Sequence, residues 1–203
     1  MIRVLTFLLS LLLPAVTWAQ TYPALYDVSG VAADDVLNVR DAPAASGKVV
    51  GTLAPGATDI EVIRVQGNWA QVNTNERSGW ASLSFLARQS GQSDDALTGQ
   101  VSCFGTEPFW GMSIHPDGAQ FEWIGEAPIT FDSYQSVATP GVLGKFARLY
   151  TGRSRTGALL LASTRLCSDG MSDRTYGLAA DLTIFPFIGQ PTHYTGCCTL
   201  APN

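Results

Sequence analysis

The stretch Cys103-Phe104-Gly105-Thr106-Glu107-Pro108-Phe109-Trp110 opens the second half of this 203-residue chain. It places a turn-forming core between a cysteine and two large aromatic residues. Since a disulfide and buried aromatic side chains can hold the chain on both sides of a turn, we expect this stretch to set the strand register of the domain that follows. We also expect Phe109 and Trp110 to enter the core of that domain.

The three other cysteines, Cys167, Cys197 and Cys198, all lie downstream. In an exported protein, four cysteines predict two disulfides, and three pairings are possible. A bond between the neighbours Cys197 and Cys198 would strain the small ring that it closes. We therefore expect Cys103 and Cys167 each to pair with one of them, and the sequence leaves open which. Because the cysteines lack paired Cys-x-x-Cys spacing and no histidine stands at ligand spacing, we expect no zinc site.

The N-terminus has the three-part pattern of a secretory signal peptide. A basic start at Arg3 is followed by an apolar run from Val4 to Leu13, and small or neutral residues lead to Ala19. We expect cleavage after Ala19, so residues 1–19 are the predicted signal peptide. The run is too short for a bilayer span, which needs about 20 residues. The pattern predicts a periplasmic or secreted protein with no stable membrane span after cleavage.

The charge balance is acidic, with 12 Lys and Arg against 17 Asp and Glu, and cleavage would remove Arg3 from the basic side. Nucleic acid and anionic lipid are therefore poor partners for this surface. With 46% hydrophobic and 14% charged residues, the composition is that of a globular protein. The chain has no phosphate-binding glycine loop and no dinucleotide fingerprint, so we expect no cofactor.

Residues 25–88 form short alternating segments separated by turn residues, a spacing that favours a small antiparallel barrel. The alternating segments are 36–40, 49–53, 60–65 and 69–72. Turn chemistry separates them at Asp41-Ala42-Pro43, Ala54-Pro55-Gly56 and Gln66-Gly67-Asn68.

This region resembles a bacterial SH3-like (SH3b) domain along its full length. The resemblance is carried by Leu37-Asn38-Val39-Arg40-Asp41-Ala42-Pro43, Val49-Val50-Gly51-Thr52-Leu53, Gly67-Asn68-Trp69-Ala70-Gln71-Val72 and Ser78-Gly79-Trp80-Ala81. It implies a five-stranded barrel of a kind that commonly binds peptidoglycan or peptides and accompanies another domain. We expect Arg40 to pair with a nearby carboxylate or turn carbonyl, Trp80 to be buried, and Trp69 to line a ligand groove.

The polar residues 89–96 are the predicted linker, and residues 97–203 are the predicted second domain. Strand signals return at 100–104, 109–114, 119–123, 129–131, 146–150, 158–166, 178–185 and 194–199. They predict an antiparallel β-barrel or sandwich, with the barrel preferred. We expect the aromatic side chains to fill this barrel, His115-Pro116-Asp117-Gly118 to form a hairpin turn, and residues 133–145 to form a flap.

The second half also resembles a group of uncharacterised bacterial envelope proteins. The resemblance is carried by Gly105-Thr106-Glu107-Pro108-Phe109-Trp110, Cys167-Ser168-Asp169-Gly170-Met171-Ser172-Asp173 and Gly196-Cys197-Cys198. These blocks span nearly the whole predicted domain. Since no function is established for the group, the resemblance implies a cell-envelope location and an architecture, and it implies no mechanism.

Three carboxylates are the candidate ligand-binding residues of the second half, namely Glu107, Asp169 and Asp173. If the disulfides bring them together, they would shift one another's pKa values and could act as an acid and base or bind a cation. The alternative is structural. In that interpretation Asp169 and Asp173 hydrogen-bond the backbone of a turn around Gly170, while Glu107 pairs with an arginine such as Arg174.

These patterns favour binding over catalysis. A Ser-His-Asp arrangement is poorly supported because the Gly-x-Ser-x-Gly elbow is absent. The sequence therefore predicts an exported binding protein whose SH3b domain contacts peptidoglycan or an envelope peptide or protein, with a second domain of unknown ligand. The alternative is a cell-wall hydrolase in which the SH3b domain targets the enzyme and the three carboxylates carry the chemistry.

Overall fold

The computed structural model describes residues 21–93, 96–97, 99–139, 141–152 and 155–200. The predicted signal peptide lies outside these residues. The described chain consists of seventeen strands and one short 3₁₀ helix, so the predicted all-β fold class is confirmed. No helix in the described part of the chain is long and apolar enough to cross a membrane.

The N-terminal half forms two small antiparallel sheets around one core. Its strands are β1 Ala24–Val28, β2 Leu37–Arg40, β3 Val49–Leu53, β4 Ile60–Val62, β5 Arg64–Gln66, β6 Trp69–Thr74, β7 Arg77–Ser82 and β8 Leu86–Arg88. The sheet orders are β4-β1-β8 and β3-β2-β7-β6-β5. Alternate residues of β1 and β2 are buried. The period of two in the sequence predicts this pattern for β2, whereas β1 was not identified from the sequence. Between the sheets lie Tyr26, Val39, Val62 and Val72.

The second half forms one nine-stranded antiparallel sheet that curves into a nearly closed barrel. Its strands are β9 Val101–Thr106, β10 Phe109–His115, β11 Gly118–Trp123, β12 Ile129–Phe131, β13 Ser133–Val137, β14 Lys145–Thr151, β15 Gly157–Cys167, β16 Tyr176–Phe185 and β17 Thr192–Thr199. Their order is β12-β11-β10-β9-β17-β16-β15-β14-β13. Of the two predicted architectures, the barrel is the one observed.

A bent strand closes the barrel. Only Asp132 separates β12 from β13; the first half pairs with β11, and the second half pairs with β14. Strands β12 and β13 stand at opposite ends of the strand order, so this bent segment joins the two edges of the sheet. This finding corrects the prediction that 133–145 is a flap, because Ser133–Val137 is a paired strand. The side chains of β13 are mostly exposed. Its sequence therefore lacks the regular alternation of apolar and polar residues that would have indicated a strand.

Side chains fill the barrel interior, as the sequence predicts. Large buried residues there include Met112, Phe121, Phe131, Tyr150 and Leu182. The His115–Gly118 hairpin is also confirmed. In the opening stretch, however, only one of the two aromatics enters the core: Trp110 is 4% exposed, whereas Phe109 is 47% exposed. The expectation for Phe109 was wrong because side chains alternate along β10 and Phe109 faces outward.

Two disulfides hold the second half together. Cys103 bonds to Cys198, and Cys167 bonds to Cys197. This confirms that the two upstream cysteines each pair with one of the neighbours. The pairing follows from the register, since Cys103 and Cys198 stand directly opposite each other on β9 and β17. Both lie in the barrel core, so Cys197, the next residue on β17, faces the outer surface.

The connection between β15 and β16 touches the N-terminal half. The amide of Asp173 donates to the Glu76 carbonyl at 2.9 Å, and the Ser78 amide donates to the Asp173 carbonyl at 3.0 Å. Next to this short parallel bridge, the Thr175 amide donates to the Ser78 hydroxyl at 2.8 Å, and the Asn73 side-chain amide donates to the Thr175 carbonyl at 2.9 Å. Together these bonds attach the β6–β7 hairpin to the nine-stranded barrel.

A second contact between the halves buries Glu61 of β4. Its carboxylate accepts hydrogen bonds from the Thr199 hydroxyl at 2.7 Å and from the Leu200 amide at 3.0 Å. Burial raises the pKa of Glu61, and these two hydrogen bonds offset part of that effect. A titratable group therefore lies between the two halves.

The start of the predicted linker is held against β1. The Gln92 side chain accepts a hydrogen bond from the Leu25 amide and donates one to the Leu25 carbonyl, at 2.6 and 2.8 Å. The Gln89 side chain donates to Asp27 at 2.7 Å. These residues are therefore packed on the first sheet. The domain boundaries at 25–88 and 97–203 remain predictions.

Candidate functional site

Trp69 lines a groove of about 410 Å³ on the N-terminal half. It begins β6 directly after the Gly67-Asn68 turn and is half-buried. Val36 and Phe85 also line the groove and are 42% and 40% exposed. Exposed aromatic and aliphatic side chains with a few polar groups are typical of ligand sites.

Neighbouring contacts fix the walls of this groove. The Asn68 side-chain amide donates to the Ser84 hydroxyl at 2.8 Å, which ties the turn before Trp69 to the 3₁₀ helix Leu83–Phe85. At the other end, the Arg40 guanidinium donates to the Gly47 carbonyl at 2.7 Å, so its predicted pairing with a turn carbonyl is confirmed. Trp80 is 8% exposed and buried as expected.

A second groove, of about 560 Å³, lies on the outer wall of the nine-stranded barrel. Its floor includes Phe104 and Thr106 of β9 and Thr195 of β17, and the connection after β15 covers it. Glu107 and Asp169 both line it. The Thr106 hydroxyl donates to the Asp169 carbonyl at 2.9 Å and so fastens the covering segment to β9. The structure therefore brings together two of the three predicted carboxylates.

The carboxylate of Asp169 is occupied by hydrogen bonds. It accepts from the amides of Met171 and Ser172 at 3.0 and 2.9 Å, from the Ser172 hydroxyl at 2.8 Å and from the Tyr176 hydroxyl at 3.2 Å. Burial acts to raise the pKa of Asp169, but the hydrogen bonds from Ser172, Met171 and Tyr176 outweigh it and lower that pKa. Asp169 is therefore ionised at neutral pH and organises the turn around Gly170.

Asp173 lies apart from the second groove, at the contact with the β6–β7 hairpin. Its side chain is 82% exposed and stands 3.9 Å from the Arg77 guanidinium. Arg174, the expected partner of Glu107, instead pairs with Glu76 at 3.4 Å. Exposed ion pairs of this kind contribute little to the free energy of unfolding. Among the described residues, no group of three or more His, Cys, Asp or Glu side chains could hold a metal ion.

Sequence reasoning missed the packing role of two glycines in the recognised blocks. Gly105 and Gly196 face Trp110 from β9 and β17, and a Cβ atom at either position would meet its indole ring. The indole nitrogen donates to the Thr195 carbonyl at 3.1 Å. The signal was present, since glycine inside a strand often marks a close approach. The sequence does not say which side chain fills the space.

Comparisons with known proteins identify a family resemblance in the N-terminal half of the chain. The searches of curated proteins and of solved structures returned no match. A family model matches the part of the chain that contains the groove residues Trp69 and Phe85 together with most of the strands around them. Residues 35–87 of this chain match the model of the bacterial SH3 domain family.

Proposed function

We propose that this protein is an exported binding protein of the bacterial cell envelope whose SH3-like groove at Trp69 contacts peptidoglycan or an envelope peptide. The observation that carries the proposal is the groove itself, because nine of its twelve lining residues, Trp69 and Phe85 among them, lie in the segment that matches the bacterial SH3 domain family. Two disulfides support export, because such bonds persist in oxidising compartments.

The chemistry of the groove suits a peptide or a muropeptide. Trp69 and Phe85 offer faces for an aliphatic side chain or a sugar ring, and Asp35 at the edge adds a hydrogen-bond acceptor. Asn68 and Ser84 join the two walls, so little reorganisation accompanies binding. We propose the groove near Glu107 and Asp169 as a second ligand surface.

Hydrolysis of the wall is the weaker alternative. A glycosidic general acid must hold its proton near neutral pH. Asp169 has a lowered pKa and accepts several hydrogen bonds, so it cannot serve as that acid. Asp173 lies outside the groove, at the contact with the first half. Zymography on peptidoglycan tests whether the protein hydrolyses the cell wall. A clearing band that disappears in Glu107→Gln would favour the hydrolase.

Co-sedimentation with purified peptidoglycan sacculi tests the proposal. We expect the mature chain to bind and Trp69→Ala to weaken binding roughly tenfold or more, as truncation of a central aromatic contact does. Phe187→Ala is the matched control, because Phe187 is an aromatic residue of the second half, after β16, whose side chain is 58% exposed. Far-UV circular dichroism verifies that each variant folds. Wild-type binding that Trp69→Ala retains in full would contradict a role for the groove.

A further inference from the structure

Strand β2 runs along one wall of the Trp69 groove and ends in an arginine. Leu37 and Val39 of this strand point into the core. Because side chains alternate along a strand, Asn38 and Arg40 face the opposite side of the sheet. Both of these residues line the groove, so the Arg40 side chain lies on the ligand side of the sheet.

The Arg40 guanidinium keeps donors for a ligand. Its Nη1 atom donates to the Gly47 carbonyl at 2.7 Å, which fixes the group and leaves most of its N–H donors available. No carboxylate in the described part of the chain lies within ion-pairing distance of Arg40. The neighbouring Asp41 does not line the groove, and its Oδ1 atom accepts from the Lys48 amide at 2.8 Å. A half-buried guanidinium that is fixed in this way suits a carboxylate, which it can bind through two parallel hydrogen bonds.

A carboxylate stands at the other end of the same wall. Asp35 precedes β2, is exposed and lines the groove. Its Oδ1 atom accepts from the Val36 amide at 2.7 Å, which holds the carboxylate in place and leaves its second oxygen for a ligand. All twelve lining residues are described, and Asp35 and Arg40 are the charged ones among them. The groove therefore has one negative end and one positive end.

The length of β2 sets the separation of these charges. Its four residues span roughly 10 Å at about 3.3 Å per residue, and an extended tripeptide has a similar length. The lining also contains Trp69 and Phe85, which offer aromatic surface to an apolar side chain. A short peptide therefore matches the groove in length, in charge and in its apolar surface.

We propose that the groove binds a short peptide in one direction, with an ammonium group of the peptide at Asp35 and a carboxylate of the peptide at Arg40. The inference rests on the proposed function, because it specifies the ligand of the same groove. An apolar side chain between the two charges packs against Trp69 and Phe85. A neutral glycan would leave both charged groups of the groove without a partner, so the peptide is the part of an envelope ligand that this groove recognises.

Isothermal titration calorimetry of the mature chain with the tripeptide Ala-Leu-Ala tests the inference. We expect N-acetylation and C-terminal amidation of the peptide each to weaken binding roughly tenfold, because each removes one charge-assisted contact. The two charges are the ends of a free peptide or, in a wall peptide, an amino side chain and a chain end. Nα-acetyl-Lys-Ala carries the second arrangement, and the tighter of the two ligands identifies the source.

Two variants assign the ends of the groove. Asp35→Asn keeps the acceptor for the Val36 amide and should bind free and acetylated peptide with equal affinity. Arg40→Met should bind the free acid and the amide with equal affinity. Asp117→Asn and Arg165→Met, at exposed positions of the second half, are the matched controls and should keep both preferences. If Arg40→Met does not fold, Asp35→Asn still decides the direction of binding.

The other outcomes overturn the inference, and the sacculus assay separates them from failure of the proposed function. Equal affinity of the wild type for free and blocked peptides would exclude recognition of the charged ends. A preference for the free amine that persists in Asp35→Asn would exclude the assigned direction. Absence of peptide binding, together with sacculus binding that requires Trp69, would show a glycan ligand and leave the proposed function in place. Absence of both would overturn both.

Discussion

Trp110 fits into the barrel because the two strands that face it carry glycines. The indole packs near Phe121 and Tyr194, with ring centroids 6.2 and 6.0 Å away. Gly105 and Gly196 leave the space that it occupies. The blocks Gly-Thr-Glu-Pro-Phe-Trp and Gly-Cys-Cys are therefore two halves of one packing arrangement, which contributes to stability through burial of a large aromatic side chain.

Gly196→Ala should lower the free energy of unfolding by about 2 kcal/mol, because overpacking of a filled core costs about 1 to 3 kcal/mol. The added Cβ would meet the Phe104 backbone carbonyl, which cannot move aside as a flexible side chain can. Gly111→Ala on β10 is the matched control, since a Cβ there meets nothing within 4 Å. Urea unfolding measures both variants. Equal stability of the two would contradict this account of the glycine.

The connection between β15 and β16, from Cys167 to Tyr176, contacts two different parts of the molecule. One side covers the groove that contains Glu107, and Asp169 shapes its turn. The other side forms hydrogen bonds with the β6–β7 hairpin of the first half. The Cys167–Cys197 disulfide attaches its start to β17. The element therefore holds the second groove and the contact between the halves in a fixed relation.

Ser78→Ala should lower the free energy of unfolding by about 1 to 2 kcal/mol, since it removes two hydrogen bonds, one within the β6–β7 hairpin and one across this contact. The Ser78 hydroxyl donates to Asn73 at 2.5 Å and accepts from the Thr175 amide at 2.8 Å. Ser113→Ala, at an exposed position on β10, should change stability by less than about 0.5 kcal/mol. Thermal unfolding compares the two variants. A loss as small in Ser78→Ala as in the control would show that the contact is not stabilising.

Most strands were predictable because alternation and turn residues act locally. The paired segments β10 and β11 follow directly from His115-Pro116-Asp117-Gly118 between two apolar runs. Strand β13 was missed because its side chains are mostly exposed. Its sequence therefore lacks the regular alternation of apolar and polar residues that indicates a half-buried strand. Of the candidate site residues, Trp69, Glu107 and Asp169 line grooves, whereas the position of Asp173 depends on a contact between distant segments that no local pattern encodes.

For the whole molecule, the two disulfides differ in the length of chain that they enclose. Cys103–Cys198 spans 95 residues and Cys167–Cys197 spans 30. In the chain-entropy model, the longer loop stabilises the folded state by roughly 1 kcal/mol more. Replacing Cys103 and Cys198 by alanine should therefore destabilise the protein more than replacing Cys167 and Cys197. Urea unfolding under oxidising conditions measures both, and the reverse order would refute this expectation.

Stability should also depend on pH through Glu61. Its pKa in the folded state is raised by burial, so the folded protein binds a proton that the unfolded chain releases above its ordinary pKa of about 4.3. The contribution of Glu61 is most favourable below that pH and is lost as pH rises through the folded pKa. Glu61→Gln should therefore be more stable than wild type at pH 8, and the difference should shrink as the pH is lowered. Glu126→Gln, at an exposed loop position, is the control, and a pH-independent difference for Glu61→Gln would contradict the mechanism.

The β9–β17 pairing has a consequence for the order of folding. Every other neighbouring pair of strands in the described barrel is consecutive in the chain, so those hairpins can form from local contacts. β9 and β17 meet only after the intervening segment has been organised, and long-range pairing of this kind is slow. Cys103–Cys198 joins these two strands. An oxidised chain that unfolds keeps its two most distant strands together, so its refolding should resemble that of a protein with much lower contact order.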